Sequence, residues 1–439
     1  MQPTIAVIGG GIAGLASAYY LTRHGYRPLL LEAGAQLGGL GAHFDHDGVA
    51  LDRWYHVILD SDAELCGLIG ELGLGQDLVW RETGMGFHLG GRLYGFNSPL
   101  DVLRFAALPM VDRLRTGVGA LYLTRGVRDP LALDDIAAVE WLPRVFGARV
   151  FERIWQPLLR AKFGDRAAEV PAYWVWNTLS REKNGGQEVK GYLRGGYAAL
   201  VAALRAAVLQ GGGEIRLNAP VRAIEASAAG VTLEVGDARL QADAAVATLP
   251  LPVLARVARG ALAAQVPLPA LHYQGVVNAV VMARRRLERF YWTIVVDPRF
   301  AFQGVVETTH VIPNAWVGGR HLVYAMNYCA ADSPLYARDD DTVARQAVDG
   351  LCALYPHFRP ADVEGVRVFR APYVEPVWTR GYLRQRPAPR VADHPLYLAT
   401  TAQAYPRVTA WNTSVALARE CVAALHADRA AAPPRSAAA

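Results

Sequence analysis

The residues best placed to do chemistry lie near the start of the chain, where six positions read Gly9-Gly10-Gly11-Ile12-Ala13-Gly14. They join a short apolar run, Thr4–Ile8, to a segment of good helix formers, Leu15–Leu21. In such a unit the first glycine permits the tight turn, the second lets the backbone approach a pyrophosphate, and the third lets the helix pack against the strand. The phosphates then lie on the helix N-terminus. We therefore predict a dinucleotide site that contains Gly9, Gly11, Ile12, Ala13 and Gly14.

A carboxylate follows at a distance that suits the ribose of such a nucleotide. The second apolar run, Arg27–Leu31, ends in Glu32, eighteen residues past Gly14. An acidic side chain at this place can accept hydrogen bonds from both ribose hydroxyls, and its charge excludes a 2′-phosphate. The alternative is a glycine-rich turn in an ordinary α/β domain. That alternative does not explain why strand, loop, helix, second strand and acidic residue follow one another in the order and spacing of a dinucleotide site.

With Leu37-Gly38-Gly39, this opening resembles the FAD-binding opening of the flavin amine oxidase superfamily, which also contains protoporphyrinogen oxidases and carotenoid desaturases. The resemblance implies FAD as the resident cofactor, with Gly38 and Gly39 beside it. Leu40 stands where the superfamily usually has an arginine, so one charge is absent while the backbone contact remains. The later pattern I-x-L-N-x-P-V resembles the element whose valine backbone meets adenine, which implies that role for Val221.

Two more segments resemble parts of the superfamily that surround the flavin ring. The stretch Asp52-Arg53-Trp54-Tyr55-His56 resembles the one beside the isoalloxazine, which implies that Tyr55 contacts the cofactor. His56 is then either a proton carrier near neutral pH or a histidine bonded to the backbone that positions Trp54. The strand Leu396–Thr400 and the helix Thr413–Ala424 resemble the closing flavin-binding unit. Its usual glycine–acid pair is replaced, and we assign cofactor binding to Thr400, Thr401 and Asn412.

The candidates on the substrate side are aromatic residues and one lysine. Trp54, Tyr55, Trp378 and Tyr405 would wall a nonpolar site for an apolar or aromatic molecule, although aromatic residues are also common in protein cores. Superfamily amine oxidases carry a lysine near the flavin in another segment, so Lys162 is either a catalytic group or a charge on a helix surface. Our catalytic candidates are His56, Lys162, Trp378 and Tyr405.

The resemblance covers nearly the whole chain in order and implies an α/β protein of the p-hydroxybenzoate-hydroxylase-like FAD-binding fold. A discontinuous Rossmann-type domain is expected from residues 1–60, 190–260 and 385–427. An α+β substrate domain is expected from 61–189 and 261–384, with helices broken at Pro109, Pro130 and Pro157 and an antiparallel sheet. Residues 428–439 read as a disordered tail.

The composition excludes several other classes of protein. At 439 residues with 52% apolar content, at least two domains are expected. The net charge of +5 comes from scattered arginines, which argues against nucleic-acid binding. Four cysteines lie far apart, so we expect no metal site. The nucleotide-binding unit begins almost at Met1, so we expect no leader peptide and a cytoplasmic location.

One helical segment leaves two interpretations open. Residues 100–123 are largely apolar but are interrupted by Arg104, Arg113 and Arg115. A buried helix pair is the favoured interpretation. The alternative is an interfacial surface, which would put the protein peripherally on the inner face of a membrane. No apolar run reaches the length of about 18 residues that a spanning helix needs.

These features predict an FAD-dependent oxidoreductase acting on a largely apolar or aromatic small molecule. A hydride would leave a C–N, C–C or C–O centre for the flavin, and the protein would orient the substrate and exclude water. Two alternatives remain. One is non-redox use of reduced flavin, as in sugar mutases that share this fold, and the other is a flavin-binding scaffold without turnover.

Overall fold

The computed structural model describes residues 2–181, 188–269 and 271–431. The strands in chain order are β1 Thr4–Ile8, β2 Arg27–Leu31, β3 His43–His46, β4 Val49–Asp52, β5 Leu78–Thr83, β6 Met85–Leu89, β7 Arg92–Gly95, β8 Glu188–Leu193, β9 Glu214–Arg216, β10 Val221–Ser227, β11 Gly230–Val235, β12 Ala238–Ala242, β13 Ala244–Ala247, β14 His272–Ala283, β15 Trp292–Val295, β16 Gly304–Glu307, β17 His321–Cys329, β18 Val363–Val377 and β19 Leu396–Leu398.

The α-helices in chain order are α1 Ile12–Arg23, α2 Ala63–Glu71, α3 Pro99–Arg104, α4 Met110–Arg125, α5 Ala138–Phe146, α6 Ala148–Val150, α7 Gln156–Phe163, α8 Ala172–Arg181, α9 Gly196–Gln210, α10 Leu251–Val257, α11 Asp340–Leu354 and α12 Trp411–Ala431. A π-helical segment, Phe151–Trp155, joins α6 to α7.

The nucleotide-binding half is built on a parallel sheet in the order β19-β13-β1-β2-β9. Its central strand β1 lies between β2 and β13, and Ile5–Ile8 are buried as expected for a strand covered on both faces. Helix α1 packs against α9 and α12. The carboxyl ends of these strands therefore meet at one edge, where ligands of such sheets bind.

The other half is built on a seven-stranded sheet in the order β18-β14-β17-β16-β15-β6-β7, beside the helices α3–α8. Most of its pairs are antiparallel, as predicted, but β15 runs parallel to β6. A smaller antiparallel sheet, β10-β11-β12, lies after the return to the nucleotide-binding half. Two hairpins, β3–β4 and β6–β7, turn at Asp47-Gly48 and Gly90-Gly91.

Two helix boundaries differ from the predicted ones. Pro157 does not break its helix, because it lies in the first turn of α7, after the π-helical segment, where a missing N–H is best tolerated. Helix α12 continues to Ala431, so residues 428–431 are helical and not part of a tail. Residues 432–439 lie outside the described residues. The domain boundaries themselves remain a prediction.

The segment 100–123 is not the buried helix pair that the sequence favoured. Helix α4 turns Thr116, Gly119 and Leu123 inward, while Val111 is 75% exposed and Val118 is 67% exposed. Eight of the twelve large apolar side chains exposed in the described part of the chain lie on α3 and α4: Leu100, Leu103, Met110, Val111, Leu114, Val118, Leu121 and Tyr122. We call this surface the α3–α4 apolar face.

Candidate active site

Two glycine loops meet at the end of β1 and form what we call the glycine cradle, Gly9–Gly14 with Gly38–Gly39. Gly9 has a φ of 106°, a conformation that L side chains rarely adopt. A Cβ on Gly14 would lie 1.9 Å from the carbonyl oxygen of Gly9, so a glycine is needed where α1 packs on the loop. A Cβ on Gly11 would meet only the Cα of Gly39, at 4.0 Å. The space beside Gly11 is therefore open, as a bound pyrophosphate requires.

The carboxylate of Glu32 joins the first glycine loop to the chain that follows β2. Its Oε2 accepts a hydrogen bond from the backbone N–H of Gly10 at 2.6 Å, and its Oε1 accepts one from Gly34 at 2.7 Å. Glu32 follows β2 directly and lines the same cavity as the glycines. It is thus at the strand end where the sequence predicts a ribose contact.

A cavity of about 470 Å³ extends from the cradle into the substrate-side half. The predicted site residues that line it are Gly9, Gly11, Ile12, Ala13, Glu32, Gly38, Gly39, Tyr55, His56, Lys162, Thr400 and Thr401. They come from α1 and α7 and from the chain segments that follow β1, β2, β4 and β19. The fold thus brings most of the predicted site into one continuous space.

Five predicted residues lie away from the cavity wall. Gly14 packs against Gly9, and Val221 begins β10. The Oδ1 of Asn412 accepts a hydrogen bond from the backbone of Leu65 at 2.9 Å, which ties α12 to α2. The adenine contact of Val221 and the cofactor contact of Asn412 stay predictions.

Trp378 and Tyr405 are the remaining two, and both lie in the hydrophobic core of the helical part. Their ring centroids are 5.4 Å apart, and the Tyr405 hydroxyl donates a hydrogen bond to Oδ1 of Asp134 at 2.5 Å. Each side chain is about 1% exposed. They therefore act as core residues rather than as walls of the cavity, and we no longer assign them to the site.

His56 is held by the second glycine loop. Its Nε2 donates a hydrogen bond to the carbonyl oxygen of Leu40 at 2.9 Å, and its ring contacts those of Tyr197 and Trp411. Burial lowers the pKa of His56 to about 4, although the Leu40 carbonyl acts in the opposite direction. A pKa this far below 7 makes the imidazole a weak proton acceptor, and the Leu40 carbonyl already engages its Nε2–H, which favours the interpretation of His56 as a positioning residue.

A buried carboxyl behind this segment was missed by the sequence reasoning. Asp52 accepts hydrogen bonds from the hydroxyl of Tyr192 and from the backbone N–H of Tyr197 at 3.2 Å. Burial raises the pKa of Asp52 to about 7, and these two bonds reduce the rise. No short-range signal marks Asp52, because Tyr192 and Tyr197 lie about 140 residues further along the chain.

The far end of the cavity is an aromatic chamber formed by Tyr55, Trp174, Trp292 and Tyr328. The Tyr55 hydroxyl donates a hydrogen bond to the Tyr328 hydroxyl at 3.0 Å, and the Trp292 ring meets the Tyr55 ring edge to face. Of these residues, the sequence singled out only Tyr55. The other three come from α8, β15 and β17, which are distant in sequence and meet only in the folded chain.

Lys162 lies in the chamber, together with an acidic residue that the sequence reasoning missed. Its Nζ is 3.4 Å from Oε1 of Glu375 and lies over the rings of Trp174 and Tyr328, at 4.8 and 5.4 Å from their centroids. Burial raises the pKa of Glu375, and the Lys162 ammonium opposes that rise. Lys162 is therefore not the helix-surface charge that was its alternative interpretation.

The residues of the cavity fit FAD. The cradle is open at Gly11, and Glu32, the predicted ribose contact, lines the same cavity. The hydroxyls of Thr178 and Thr409 line the cavity and have no hydrogen-bond partner among the described residues. Trp411, the first residue of α12, packs so closely on Gly41 that a Cβ there would lie 2.1 Å from its ring, and both residues line the cavity. Together, Gly11, Gly38, Gly39, Glu32 and the loop before α12 would hold the cofactor.

A parallel sheet that carries a two-loop glycine cradle and an acid after its second strand defines a class, the FAD-dependent oxidoreductases of this fold. The chain belongs to the flavin containing amine oxidoreductase family, whose model matches residues 12–410. The predicted family, fold class and FAD cofactor are thereby confirmed.

Comparison with individual proteins gives more distant similarities. The 15-cis-phytoene desaturase of Narcissus pseudonarcissus is 30% identical over 156 residues, which cover 32% of this chain and 27% of that protein. The chain spans 27 to 48% of the length of the first curated desaturases that it matches. A putative protoporphyrinogen oxidase from Exiguobacterium sp. 255-15 superposes with a TM-score of 0.80 at 20% identity, covering 98% of this chain and 99% of that one.

A reduced UDP-galactopyranose mutase superposes with a TM-score of 0.76 at 17% identity, covering 98% of this chain and 97% of that one. At such identities these structures establish the shared fold. Within the described residues, no group of three or more His, Cys, Asp or Glu side chains could hold a metal ion. No helix in the described ranges combines the length and the apolar character needed to cross a bilayer.

Proposed function

We propose that this protein oxidises a largely apolar or aromatic small molecule by removing a hydride, with FAD bound in the cavity. One observation carries the proposal: the same 470 Å³ cavity is lined by the glycine cradle and by the aromatic chamber. A molecule in the chamber would therefore share one water-poor space with the cofactor. When bound, FAD supplies the hydride acceptor for this chemistry.

The chain's own residues would bind and orient the substrate. Trp174, Trp292, Tyr55 and Tyr328 offer aromatic faces, which suit apolar and aromatic molecules. The bond between Tyr55 and Tyr328 fixes both rings. The substrate would lose a hydride to the flavin and a proton to water, so the proposed reaction does not depend on His56 as a proton carrier. We assign His56 the task of holding Leu40 and the loop beside the cofactor.

The mutase-like alternative receives less support from the side chains of the cavity. A nucleotide-sugar substrate carries phosphates, and arginine clusters are the usual partners of such groups. The cations that line the described cavity are Lys162 and Lys190, and no arginine is among its described lining residues. Lys162 also faces Glu375, which would repel a phosphate.

Single-turnover analysis without oxygen tests the proposal against both alternatives. The holoprotein is mixed with neutral apolar or aromatic compounds, and the products are identified by mass. A redox enzyme gives one product that has lost two hydrogens for each flavin reduced. A mutase gives an isomer of unchanged mass, and a scaffold leaves the starting compound unchanged. The proposal is contradicted if no compound tested loses two hydrogens.

We also propose that the helical part contacts the inner face of a membrane through the α3–α4 apolar face. The side chains of Val111, Leu114, Val118 and Leu121 recur at intervals of three and four, so they form one stripe along α4. This stripe points to solvent, whereas helices of globular proteins bury theirs. Apolar surfaces of this kind mark interaction sites.

The charges around this face favour an anionic bilayer as the partner. Residues 100–125 contain Arg104, Arg113, Arg115 and Arg125 but only two acids. Both acids are bonded within the protein: Asp101 caps α3, and Asp112 pairs with Arg149 at 3.1 Å. The arginines therefore dominate the field at this surface, as anionic lipid headgroups require.

The inner side of α4 connects this face to the cavity. The indole N–H of Trp176 donates a hydrogen bond to the carbonyl oxygen of Leu123 at 2.9 Å, which fixes α8 against α4. The same helix α8 carries Trp174 and Thr178, which line the cavity. The helix that packs on the inner side of α4 therefore also contributes to the cavity wall.

A further inference from the structure

The ammonium group of Lys162 sits in surroundings that proteins use to bind free alkylammonium ions. A carboxylate, Glu375, lies 3.4 Å away, and the rings of Trp174 and Tyr328 face the nitrogen at 4.8 and 5.4 Å. Carboxylates and aromatic faces together bind organic cations through charge attraction and cation–π interaction. Here the protein supplies the cation itself, from α7.

We infer that Lys162 occupies the place that the ammonium group of an amine substrate would need, so that the chamber admits neutral apolar molecules and rejects alkylammonium ions. The inference rests on the proposed use of this cavity for substrate, and it narrows that substrate to an uncharged molecule. Lys162 is then a specificity-determining residue, and Glu375 is its positioning partner.

The neighbouring charges support this assignment. Glu375 is buried on β18, and the residue opposite it on β14 is the neutral Gln274. Tyr55 and Tyr328 add only hydroxyl groups, which bond to each other. An incoming ammonium ion would meet repulsion from the Lys162 ammonium at the place where the carboxylate and the two rings would otherwise hold it. Within the chamber, the carboxylate that an incoming ammonium ion could use is that of Glu375, and it already forms an ion pair with the Lys162 ammonium.

Removal of the Lys162 charge should turn this arrangement into an amine site. In Lys162→Met the unbranched side chain is retained but the ammonium is lost, which leaves the buried carboxylate of Glu375 without this partner. A buried carboxylate in that state either takes up a proton or attracts another cation. Benzylammonium offers both a cation for Glu375 and a ring for the aromatic chamber.

The test is calorimetric titration of holoprotein with benzylammonium and, as the neutral probe, with benzyl alcohol. Lys162→Met should bind benzylammonium at least about tenfold more tightly than the wild type, given the strength of desolvated cation–π contacts. Benzyl alcohol should bind both proteins within about threefold of each other, because its ring makes the same contacts and it carries no charge. Lys162→Arg keeps the cation and should reject benzylammonium as the wild type does.

The double variant Lys162→Met/Glu375→Gln assigns the gain to the carboxylate, and it should lose the new amine binding. Lys162→Gln serves as a second neutral variant if Lys162→Met does not load FAD. Equal affinity of wild type and neutral variant for benzylammonium would overturn the inference, and so would undiminished binding by the double variant. The flavin is reduced chemically before the titrations, so benzyl alcohol can bind but cannot be oxidised. A failure of the proposed oxidation would appear separately, in oxidised holoprotein whose flavin no neutral compound reduces.

Discussion

The Nε2 of His56 lies 2.9 Å from the carbonyl oxygen of Leu40, and this bond joins the segment after β4 to the second glycine loop. Leu40 directly follows Gly39, which belongs to the cradle. His56 thereby couples the aromatic side of the cavity to the nucleotide side. Because burial keeps the imidazole neutral, its contribution is the position of the loop and not a charge.

The first prediction concerns this bond. His56→Ala should lower the FAD occupancy and the melting temperature together, because Leu40 loses its partner. The rate of flavin reduction per bound FAD should stay within about threefold of wild type, far from the 10²–10⁴-fold loss of a general acid or base. Stopped-flow reduction normalised to bound FAD gives the measurement. His56→Gln can still donate to Leu40 and should restore occupancy, whereas a normalised loss of about a hundredfold would make His56 a proton carrier.

The second prediction tests the cradle. Gly11→Val should abolish FAD loading, because the new side chain would enter the open space beside Gly39 that the pyrophosphate needs. Gly67→Val is the matched control, since a Cβ there meets nothing within 4 Å. The control should keep its FAD, because valine is a better helix former than glycine and the position faces open space. FAD released on heating is quantified for both, and wild-type occupancy in Gly11→Val would refute the assignment of the motif.

The third prediction concerns the pH dependence of stability. An acid whose folded-state pKa is raised stabilises the fold below its unfolded pKa and loses that contribution as the pH rises through the folded value. For Asp52 this window extends from the ordinary value of 3.8 to about 7. The corresponding loss is at most about 4 kcal/mol, at 1.36 kcal/mol per unit.

Asp52→Asn cannot titrate and keeps an oxygen to accept the bond from Tyr192. The wild type should therefore lose free energy of unfolding relative to Asp52→Asn as the pH rises from about 4 to about 7. Urea unfolding of both proteins across this range measures the difference between their free energies of unfolding. Other titrating groups, such as His56, are present in both proteins, so their contributions cancel in this difference. A difference that stays constant, or grows in favour of the wild type, would show that Asp52 is charged throughout.

The fourth prediction concerns the α3–α4 apolar face. Val111→Asp/Val118→Asp should weaken sedimentation with anionic phosphatidylglycerol vesicles by about tenfold or more, because two apolar side chains no longer enter the interface. Leu268→Asp is the matched control: Leu268 is 60% exposed but lies outside this face. Binding by the wild type should weaken with added salt. Equal sedimentation of the double variant and the wild type would contradict the membrane proposal.

The nucleotide-binding side could be predicted because its signals are local. Gly9, Gly11 and Gly14 act within one turn between β1 and α1, and Glu32 ends the next strand. Each strand is marked by its own run of hydrophobic residues, and the glycine at position 9 allows the positive φ that the turn after β1 adopts. The nucleotide-binding side of the site can therefore be predicted from a single sequence.

The substrate side could not be predicted in the same way, because long-range packing decides it. Lys162 and Glu375 are more than 200 residues apart and meet only when α7 packs against the seven-stranded sheet. Trp378 and Tyr405 have the residue types of a site wall, but they are buried in the helical core. Helix α4 exposes its apolar stripe, and residue types alone do not reveal which side of a helix a domain covers.

The measurement that tests the central claim most directly is the visible absorption of bound flavin in the holoprotein, mixed anaerobically with neutral apolar or aromatic compounds. The account predicts that at least one of them bleaches the flavin band completely and that admitting oxygen or another acceptor restores it. It also predicts that charged amines of the same shape do not bleach it. Flavin that stays oxidised with every neutral compound, or that is bleached only by the amines, would contradict the account.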